Sequence, residues 1–260
     1  MEQRKWLLGM MVVGMFGSAA LAIAPMGPPV ATLSEGQSAV GLGYAYSDMT
    51  LELSGPTGAV VGTGDGELDL ENNIYYGCLA YGISNTWSAY VALGAADAEI
   101  DADAGSDFEG GTDFCFAVGT KRTLHDNGSD TKWGTVFQYG TGESDDKISV
   151  TSGYANWHLF PVSPGTLELD WYEMQLALGP AVQVNEDLCL YGGPFLHFAE
   201  ADLRHKSLGG STYEVELEQA WELGGYIGAL MNLGSGASLS LEFLITGEAW
   251  GFGIGAMFGL

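Results

Sequence analysis

The last eleven residues of the chain, Trp250–Leu260, alternate between larger apolar residues and very small ones. Successive side chains of a β-strand point to opposite faces, so a strand here has one wholly apolar face and one face made almost entirely of glycine. The apolar face carries Trp250, Phe252, Ile254, Ala256, Phe258 and Leu260. A strand facing lipid requires such a face, and the small residues leave room inside a narrow barrel. The pattern predicts a membrane-spanning strand.

Alternation with the same period of two recurs back to residue 38. The predicted strands are Ser38–Leu53, Glu67–Ile83, Trp87–Ala104, Thr112–Thr123, Lys132–Thr141, Thr166–Val184, Leu188–Leu203, Tyr213–Leu233, Ser238–Thr246 and Trp250–Leu260. With one exception near Gly247, short turns and longer acidic loops alternate between them, as in transmembrane barrels. The sequence therefore predicts an all-β fold, a transmembrane antiparallel up-and-down β-barrel of about ten strands.

One predicted hairpin contains a proline in each strand, Pro180 and Pro194. Proline donates no backbone hydrogen bond, and a closed barrel offers no edge strand to shelter it. The neighbouring glycines favour a local β-bulge at this point. The alternative is an error in the strand count, which would then be eight or twelve.

The N-terminal residues resemble an export signal rather than a part of the barrel. Met1–Ala22 has a basic start, an apolar stretch and a small-x-small site at Ala20–Ala22, the pattern of a secretory signal peptide. The apolar stretch is shorter than the ~20 residues of a spanning helix. We expect residues 1–22 to be a signal peptide, 23–36 an extended lead-in, and 37–260 a single barrel domain.

Composition excludes several classes of protein. Eight Lys and Arg stand against 33 Asp and Glu, a net charge of −25, so nucleic-acid binding is not expected. A hydrophobic fraction of 47% argues against disorder. The three cysteines, Cys78, Cys115 and Cys189, fall on strands that are not adjacent, and we expect free thiols.

The acidic residues are predicted to collect at one end of the barrel, where the long loops lie. The predicted acidic rim consists of Asp97, Glu99, Asp101, Asp103, Glu214, Glu216 and Glu218. A solvated surface is the plain interpretation of this rim. A cation-attracting mouth is the alternative, and weak Ca²⁺ binding by surface carboxylates stays open although no calcium-loop motif is present.

The chain resembles the small outer-membrane β-barrel proteins of diderm bacteria in its signal peptide, its glycine-rich amphipathic strands and its closing sequence GIGAMFGL. In that family the barrel-assembly machinery reads the last strand, and Gly255, Phe258 and Leu260 match its glycine and apolar positions. Gly253 stands where the family usually has a polar residue, and the final residue is Leu rather than Phe. The resemblance implies a location in the outer membrane, contact with its lipid, and both termini in the periplasm.

Function is less constrained than fold. The first hypothesis is a structural barrel or a small passive pore with an acidic, cation-favouring extracellular rim. The alternative is a surface interaction or adhesion protein that uses its acidic loops. A rim-located enzyme is the third, with His125, His158, His197 and His205 as the candidates, but no nucleophile motif accompanies them. No catalytic, cofactor-binding or metal-binding residue is predicted.

Overall fold

The computed structural model describes residues 25–54, 67–101, 108–148 and 164–260. The predicted signal peptide lies outside these ranges. The strands are β1 (Ser38–Ser54), β2 (Glu67–Ser84), β3 (Trp87–Asp101), β4 (Phe108–Glu109), β5 (Asp113–Asp126), β6 (Thr131–Ile148), β7 (Gly165–Gln183), β8 (Leu188–Ser207), β9 (Thr212–Gly234), β10 (Ala237–Ile245) and β11 (Ala249–Gly259). Within the described ranges no helix is long and apolar enough to cross a membrane.

The ten long strands close into an antiparallel ring. Each pairs with its neighbours in the chain, and the ring closes because β1 pairs with both β2 and β11. The short β4 pairs with β3 alone, in the connection between β3 and β5. The predicted all-β, up-and-down barrel of about ten strands is confirmed.

The start of β1 and the end of β11 lie at one end of the ring, which we call the terminal end; the opposite end is the loop end. The hairpin β10–β11 is much shorter than the rest, with strands of 9 and 11 residues against 23 residues in β9. Above it β1 and β9 pair directly, from Glu52 opposite Glu218 to Ser54 opposite Glu216. The barrel therefore has ten strands in its terminal half and eight in its loop half.

A β-bulge in β9 accompanies this change of partner. Across β8, His197 pairs with Glu222 but Ala199 pairs with Gln219, so β9 holds one extra residue. One inserted residue exchanges the two faces of a strand. Strict alternation would place Val215, Leu217 and Trp221 on one face, but the first two are buried in the barrel, whereas Trp221 is exposed.

The hairpin with the two prolines keeps its register. Ala177 pairs with Phe195, and Ala181 with Tyr191, in the same alignment, while the residues between form no pairs across the two strands. The predicted bulge is therefore wrong, and the strand count needs no revision. Glycine allows the two backbones to approach closely at this point without a change of register, since a Cβ on Gly179 would lie 1.9 Å from the carbonyl oxygen of Gly192.

The strand boundaries match the prediction to within about four residues except in β6. That strand was expected to end at Thr141 and continues to Ile148. Its extension alternates small and acidic residues (Gly142, Glu143, Ser144, Asp145), a composition typical of loops that here fits a strand with its acids in water. All three cysteines are free, as expected.

The outer surface of the terminal half is apolar. On its loop side it ends in a row of aromatic residues that includes Tyr44, Tyr46 and Trp250, which we call the aromatic row. Along β1 the outward residues run from Val40 and Leu42 through Tyr44 and Tyr46 to Asp48. The outward residues of β11 include the predicted membrane-insertion residues Trp250, Phe252, Ile254 and Phe258, while Gly255 faces the lumen. Leu260 follows the strand and is exposed. An apolar band bordered by aromatic residues is the exterior of a transmembrane barrel.

The aromatic row is hydrogen-bonded to polar groups on its loop side. The Tyr44 hydroxyl donates to Asn73 Oδ1 at 2.7 Å, the Tyr46 hydroxyl to Glu71 Oε2 at 3.0 Å. The Trp250 indole donates to Asp48 Oδ2 at 3.0 Å. Because these rings have an apolar body and a polar tip, the row marks the boundary between the apolar band and water.

Candidate functional site

The lumen of the barrel is divided into three layers. In the loop half it is filled by buried apolar side chains, which we call the upper core. These are Met49, Leu51, Leu70, Ile100, Phe108, Leu167, Leu169, Leu203, Val215 and Leu217, all less than 9% exposed. Phe108 belongs to the short β4 and is fully buried. The upper core closes the lumen at the loop end as the interior of a soluble domain would.

Below the upper core lies a layer of buried polar side chains, Ser47, Asn72, Gln138, Glu173, Gln175, His197 and Gln219. His197 Nε2 lies 3.0 Å from Glu173 Oε2, and Gln138 Nε2 donates to Gln175 Oε1 at 3.4 Å. The Tyr90 hydroxyl donates to Gln138 from below. We call this layer the polar layer; its residues come from β1, β2, β6, β7, β8 and β9.

The terminal half of the lumen contains the residues that precede β1, which we call the N-terminal segment (Pro25–Gln37). Met26 and Val30 are buried within the barrel. The Ala31 N–H donates to Thr123 Oγ1 at 3.1 Å, and the Gly36 N–H to the Gly82 carbonyl at 2.8 Å. From Pro25 onward, the predicted lead-in folds back into the barrel.

Glycines on three strands make room for this segment. A Cβ on Gly82 would lie 2.0 Å from the Ser34 carbonyl oxygen, and one on Gly134 would lie 2.2 Å from that of Pro29. A Cβ on Gly253 would lie 1.8 Å from Pro25 Cγ. The departure at Gly253 from the usual polar residue of the last strand thus has a steric cause.

Two charged residues of opposite sign flank the N-terminal segment inside the barrel. The Glu242 carboxylate accepts hydrogen bonds from the Met26 N–H at 2.7 Å and from the Gly27 N–H at 2.8 Å. Lys121 reaches Gly27 from β5, and its Nζ lies 5.5 Å from the centre of the Tyr90 ring. Glu242 and Lys121 thus hold the segment at one place.

Beside the segment lies an open space of about 410 Å³, the terminal cavity. Its walls are mainly apolar or small side chains, among them Met26, Ala92, Ala117, Leu230 and Met257. It reaches the terminal mouth of the barrel at Gly234 and Gly259. A cavity of this size falls within the range of about 300–1,000 Å³ typical of small-molecule sites.

Outside the upper core, the loop half carries an outward-facing layer of carboxylates, which we call the acidic wall. It comprises Glu52, Glu67, Asp69, Glu71, Asp97, Glu99, Glu143, Asp145, Glu168, Asp170, Glu200, Asp202, Glu214, Glu216 and Glu218. The structure thus places five residues of the predicted rim on the outer surface, not around an open mouth. Of the other two, Asp101 ends β3 and Asp103 lies outside the described residues.

Many of these carboxylates face each other across neighbouring strands. Glu71 pairs with Glu99, Glu52 with Glu67, and Glu200 with Glu218. Like charges in directly opposed positions repel and destabilise a sheet. The acidic wall is therefore an arrangement that stability alone does not favour.

Basic residues neutralise only one side of the wall. Arg204 contacts Asp170 and lies 3.2 Å from Glu214 Oε1, and Lys206 Nζ lies 2.6 Å from Glu168 Oε2. Strands β1, β2 and β3 as described contain no Lys or Arg. The negative charge is therefore concentrated on the side of β1–β3.

The crowding raises the pKa of Asp202. Partial burial is the main cause, and the neighbouring carboxylates Glu214, Glu200 and Glu216 add to it. The protonated form is thus favoured relative to an isolated aspartate.

The three candidate histidines within the described ranges do not come together at the rim. His197 is buried against Glu173 in the polar layer, and His205 is buried beside the Tyr213 ring. His125 is exposed at the terminal end, and His158 lies outside the described residues. Within the described ranges no group of three or more His, Cys, Asp or Glu is arranged to hold a metal ion.

Sequence reasoning did not identify Glu242 and Lys121 as site residues. The available signal was that each is a charged residue inside a stretch that otherwise reads as membrane-spanning.

No family model matches the sequence, and no curated protein matches it. Among solved structures, the translocator domain of the autotransporter NalP from Neisseria meningitidis is 13% identical, with a TM-score of 0.46 over 99% of this chain and 94% of that one. The β domain of the Bordetella autotransporter BrkA is 13% identical, with a TM-score of 0.47 over 85% of this chain and 100% of that one. The outer membrane protein OprG from Pseudomonas aeruginosa is 10% identical, with a TM-score of 0.40 over 87% of this chain and 97% of that one.

The strand pairing and the surface of the molecule identify the fold. The strands form a closed antiparallel ring, and its exterior is apolar and bordered by aromatic residues. The chain has the fold of a transmembrane antiparallel β-barrel.

Proposed function

We propose that this protein is a closed outer-membrane barrel that displays a rigid acidic surface to the cell exterior. In this proposal the signal peptide Met1–Ala22 is removed on export, and the barrel-assembly machinery inserts the chain through its last strand. The terminal end then lies in the periplasm and the loop end outside. The proposal joins the structural hypothesis to the surface-interaction hypothesis.

One observation carries it: the polarity of the strands reverses at the height of the β10–β11 turn. Below the turn, outward residues such as Leu42 and Ile254 are apolar and exposed. Above it, Leu51 and Leu217 are buried inside, while Glu52 and Glu218 point outward. A soluble barrel has this second pattern, so the loop half is built to stand in water.

The filled lumen supports the structural alternative over the passive pore. Ions crossing the barrel would have to pass the upper core, where Leu167, Leu169 and Ile100 are fully buried. Carboxylates on the outer wall do not line that route. We therefore expect a full-length preparation in a planar bilayer to show no steady conductance, and a stable cation-selective current would contradict the closed barrel.

The acidic wall is suited to positively charged partners, whose binding would relieve the repulsion between facing carboxylates. The test uses the full-length protein in phosphatidylcholine nanodiscs and a fluorescent oligolysine peptide. In the test variant Glu214, Glu216 and Glu218 are replaced by Gln. In the matched control Asp130→Asn, Glu186→Gln and Asp187→Asn remove three exposed charges at the terminal end.

We expect binding of the peptide to weaken several-fold in the test variant and with added salt, and to change little in the control variant. Equal losses in both variants would mean that only total charge matters. That result, or the absence of binding to the unmodified protein, would contradict a dedicated acidic surface. Ca²⁺ added in place of the peptide tests weak divalent binding in the same pair of variants.

A further inference from the structure

The terminal cavity is independent of the acidic wall and lies at the opposite end of the molecule. Its one charged lining residue among the described residues is Lys121. Glu242 is not part of the lining, because the Met26 and Gly27 backbone covers its carboxylate. The cavity thus combines mainly apolar walls with a single positive charge.

Lys121 forms no ion pair with a carboxylate of the described residues. Its Nζ rests near Gly27 and the face of the Tyr90 ring. Glu242 lies on the other side of the N-terminal segment and does not line the cavity. The charge that the cavity itself presents is therefore positive, and it would attract an anion but not a neutral apolar molecule.

Polar groups lie beside Lys121 at the same wall. Ser88 is its direct partner across β3 and β5, and both line the cavity. Gln138 lines the cavity from β6. One ammonium with a neighbouring hydroxyl suits the oxygens of one acid group, while Ala92, Ala117 and Met257 offer only apolar contact.

We propose that the terminal cavity binds a small amphipathic anion, with its acid group on Lys121 Nζ and its apolar body against Ala117, Leu230 and Met257. The ligand class is a monocarboxylate with a short hydrocarbon chain. The upper core closes the other end of the lumen, so the ligand enters and leaves through the terminal mouth, between the N-terminal segment and the strand ends at Gly234 and Gly259.

The test uses the full-length protein in phosphatidylcholine nanodiscs and octanoate labelled with ¹³C at its carboxyl group. Partition into lipid does not saturate and is measured with empty nanodiscs. Saturable binding is expected with the unmodified protein, together with NMR contacts from the octanoate chain to the Met257 methyl. The Met174 methyl, which faces outward on β7, should show only the lipid background.

Four variants separate the effect of the charge from the effect of the cavity. Lys121→Gln should weaken octanoate binding at least about tenfold, and Lys121→Arg should restore most of it. Lys132→Gln removes an exposed lysine at the same end and should change nothing. Ala117→Trp fills the cavity and should abolish binding of both octanoate and the neutral octan-1-ol.

Each outcome decides the question. No saturable binding to the unmodified protein, or equal binding to Lys121→Gln, would overturn the proposal, as would octan-1-ol binding as tightly as octanoate. If Lys121→Gln fails to give a heat-modifiable barrel, Ala117→Trp and the Met257 contacts decide instead: octanoate that still binds when the cavity is filled lies elsewhere.

Discussion

Glu242 Oε1 accepts a hydrogen bond of 2.7 Å from the backbone N–H of Met26, a residue 216 positions earlier in the chain. Oε2 accepts a second bond, of 2.8 Å, from the next N–H, that of Gly27. One carboxylate thus fixes the N-terminal segment inside the barrel, and this contact joins the first described residues to one of the last strands.

Glu242→Gln should loosen the N-terminal segment without unfolding the barrel. An amide presents one acceptor oxygen where the carboxylate presents two, so one of the two N–H groups loses its partner. We expect amide hydrogen exchange at Met26 and Gly27 to accelerate roughly ten- to hundredfold. Ser240→Ala, on the same face of β10 but bonded to Gly255, is the control and should leave exchange unchanged. Unchanged exchange in Glu242→Gln would show that the segment is held by packing alone.

Glycines that face tyrosines inside the barrel should not tolerate a methyl group. Gly228 is the direct pairing partner of Tyr191, and a Cβ there would lie 2.3 Å from the tyrosine ring. Gly43 with Tyr76 and Gly119 with Tyr90 repeat the arrangement. Gly228→Ala should therefore destabilise the barrel by about 1–3 kcal/mol, measured by urea unfolding in lipid vesicles.

Gly225→Ala is the matched control, because Gly225 lies on the same strand and a Cβ there meets nothing within 4 Å. We expect it to be neutral or slightly stabilising, since alanine restricts the unfolded chain. Equal losses in the two variants would mean that β9 requires glycine for its backbone and not for contact with the tyrosine.

Deletion of Ala220 should prevent correct assembly. This deletion removes the extra residue of the β9 bulge, so that either Val215 and Leu217 or the outward residues near Trp221 must change face. We expect loss of the heat-modifiable species on unboiled gels. Ala220→Ser keeps the residue count at this exposed position and should assemble normally. A fully assembled deletion variant would contradict the role of the bulge in reversing polarity.

Asp202→Asn should stabilise the barrel at neutral pH. The raised pKa of Asp202 means that the folded state binds a proton more readily than the unfolded state does. Its charged form is therefore destabilising at pH 7, and stability should rise as pH falls through the folded pKa toward the ordinary aspartate value. The midpoint of thermal unfolding should be higher for Asp202→Asn at pH 7, and the difference should vanish below about pH 4.

Asp126→Asn serves as a control of opposite sign. The hydrogen bond from Lys132 lowers the pKa of Asp126, so its charged form stabilises the fold above the unfolded pKa and this contribution is lost as pH falls through the folded pKa. The substitution should slightly lower the unfolding temperature at pH 7. A change of the same sign in both variants would point to net charge as the cause.

Period-two alternation determined the barrel class and most strand boundaries, because outward residues are apolar where they face lipid and polar where they face water. In β11 the alternation alone placed Trp250, Ile254 and Phe258 toward lipid and the glycines toward the lumen. The same signal failed in β9, where a single inserted residue at the bulge exchanges the faces. A bulge of this kind requires no particular residue type, so it could not be predicted from the sequence of β9.

The sequence by itself determined that the chain forms a membrane-type barrel with its acids at one end. Only the tertiary structure decided that these acids lie on the outer surface of a filled eight-stranded half, because inside and outside are defined by which strands pair at that height. It also decided that the N-terminal segment enters the lumen and meets Glu242 and Lys121. Such contacts join residues that are far apart in the chain. A local sequence pattern does not specify which distant residues a segment will contact.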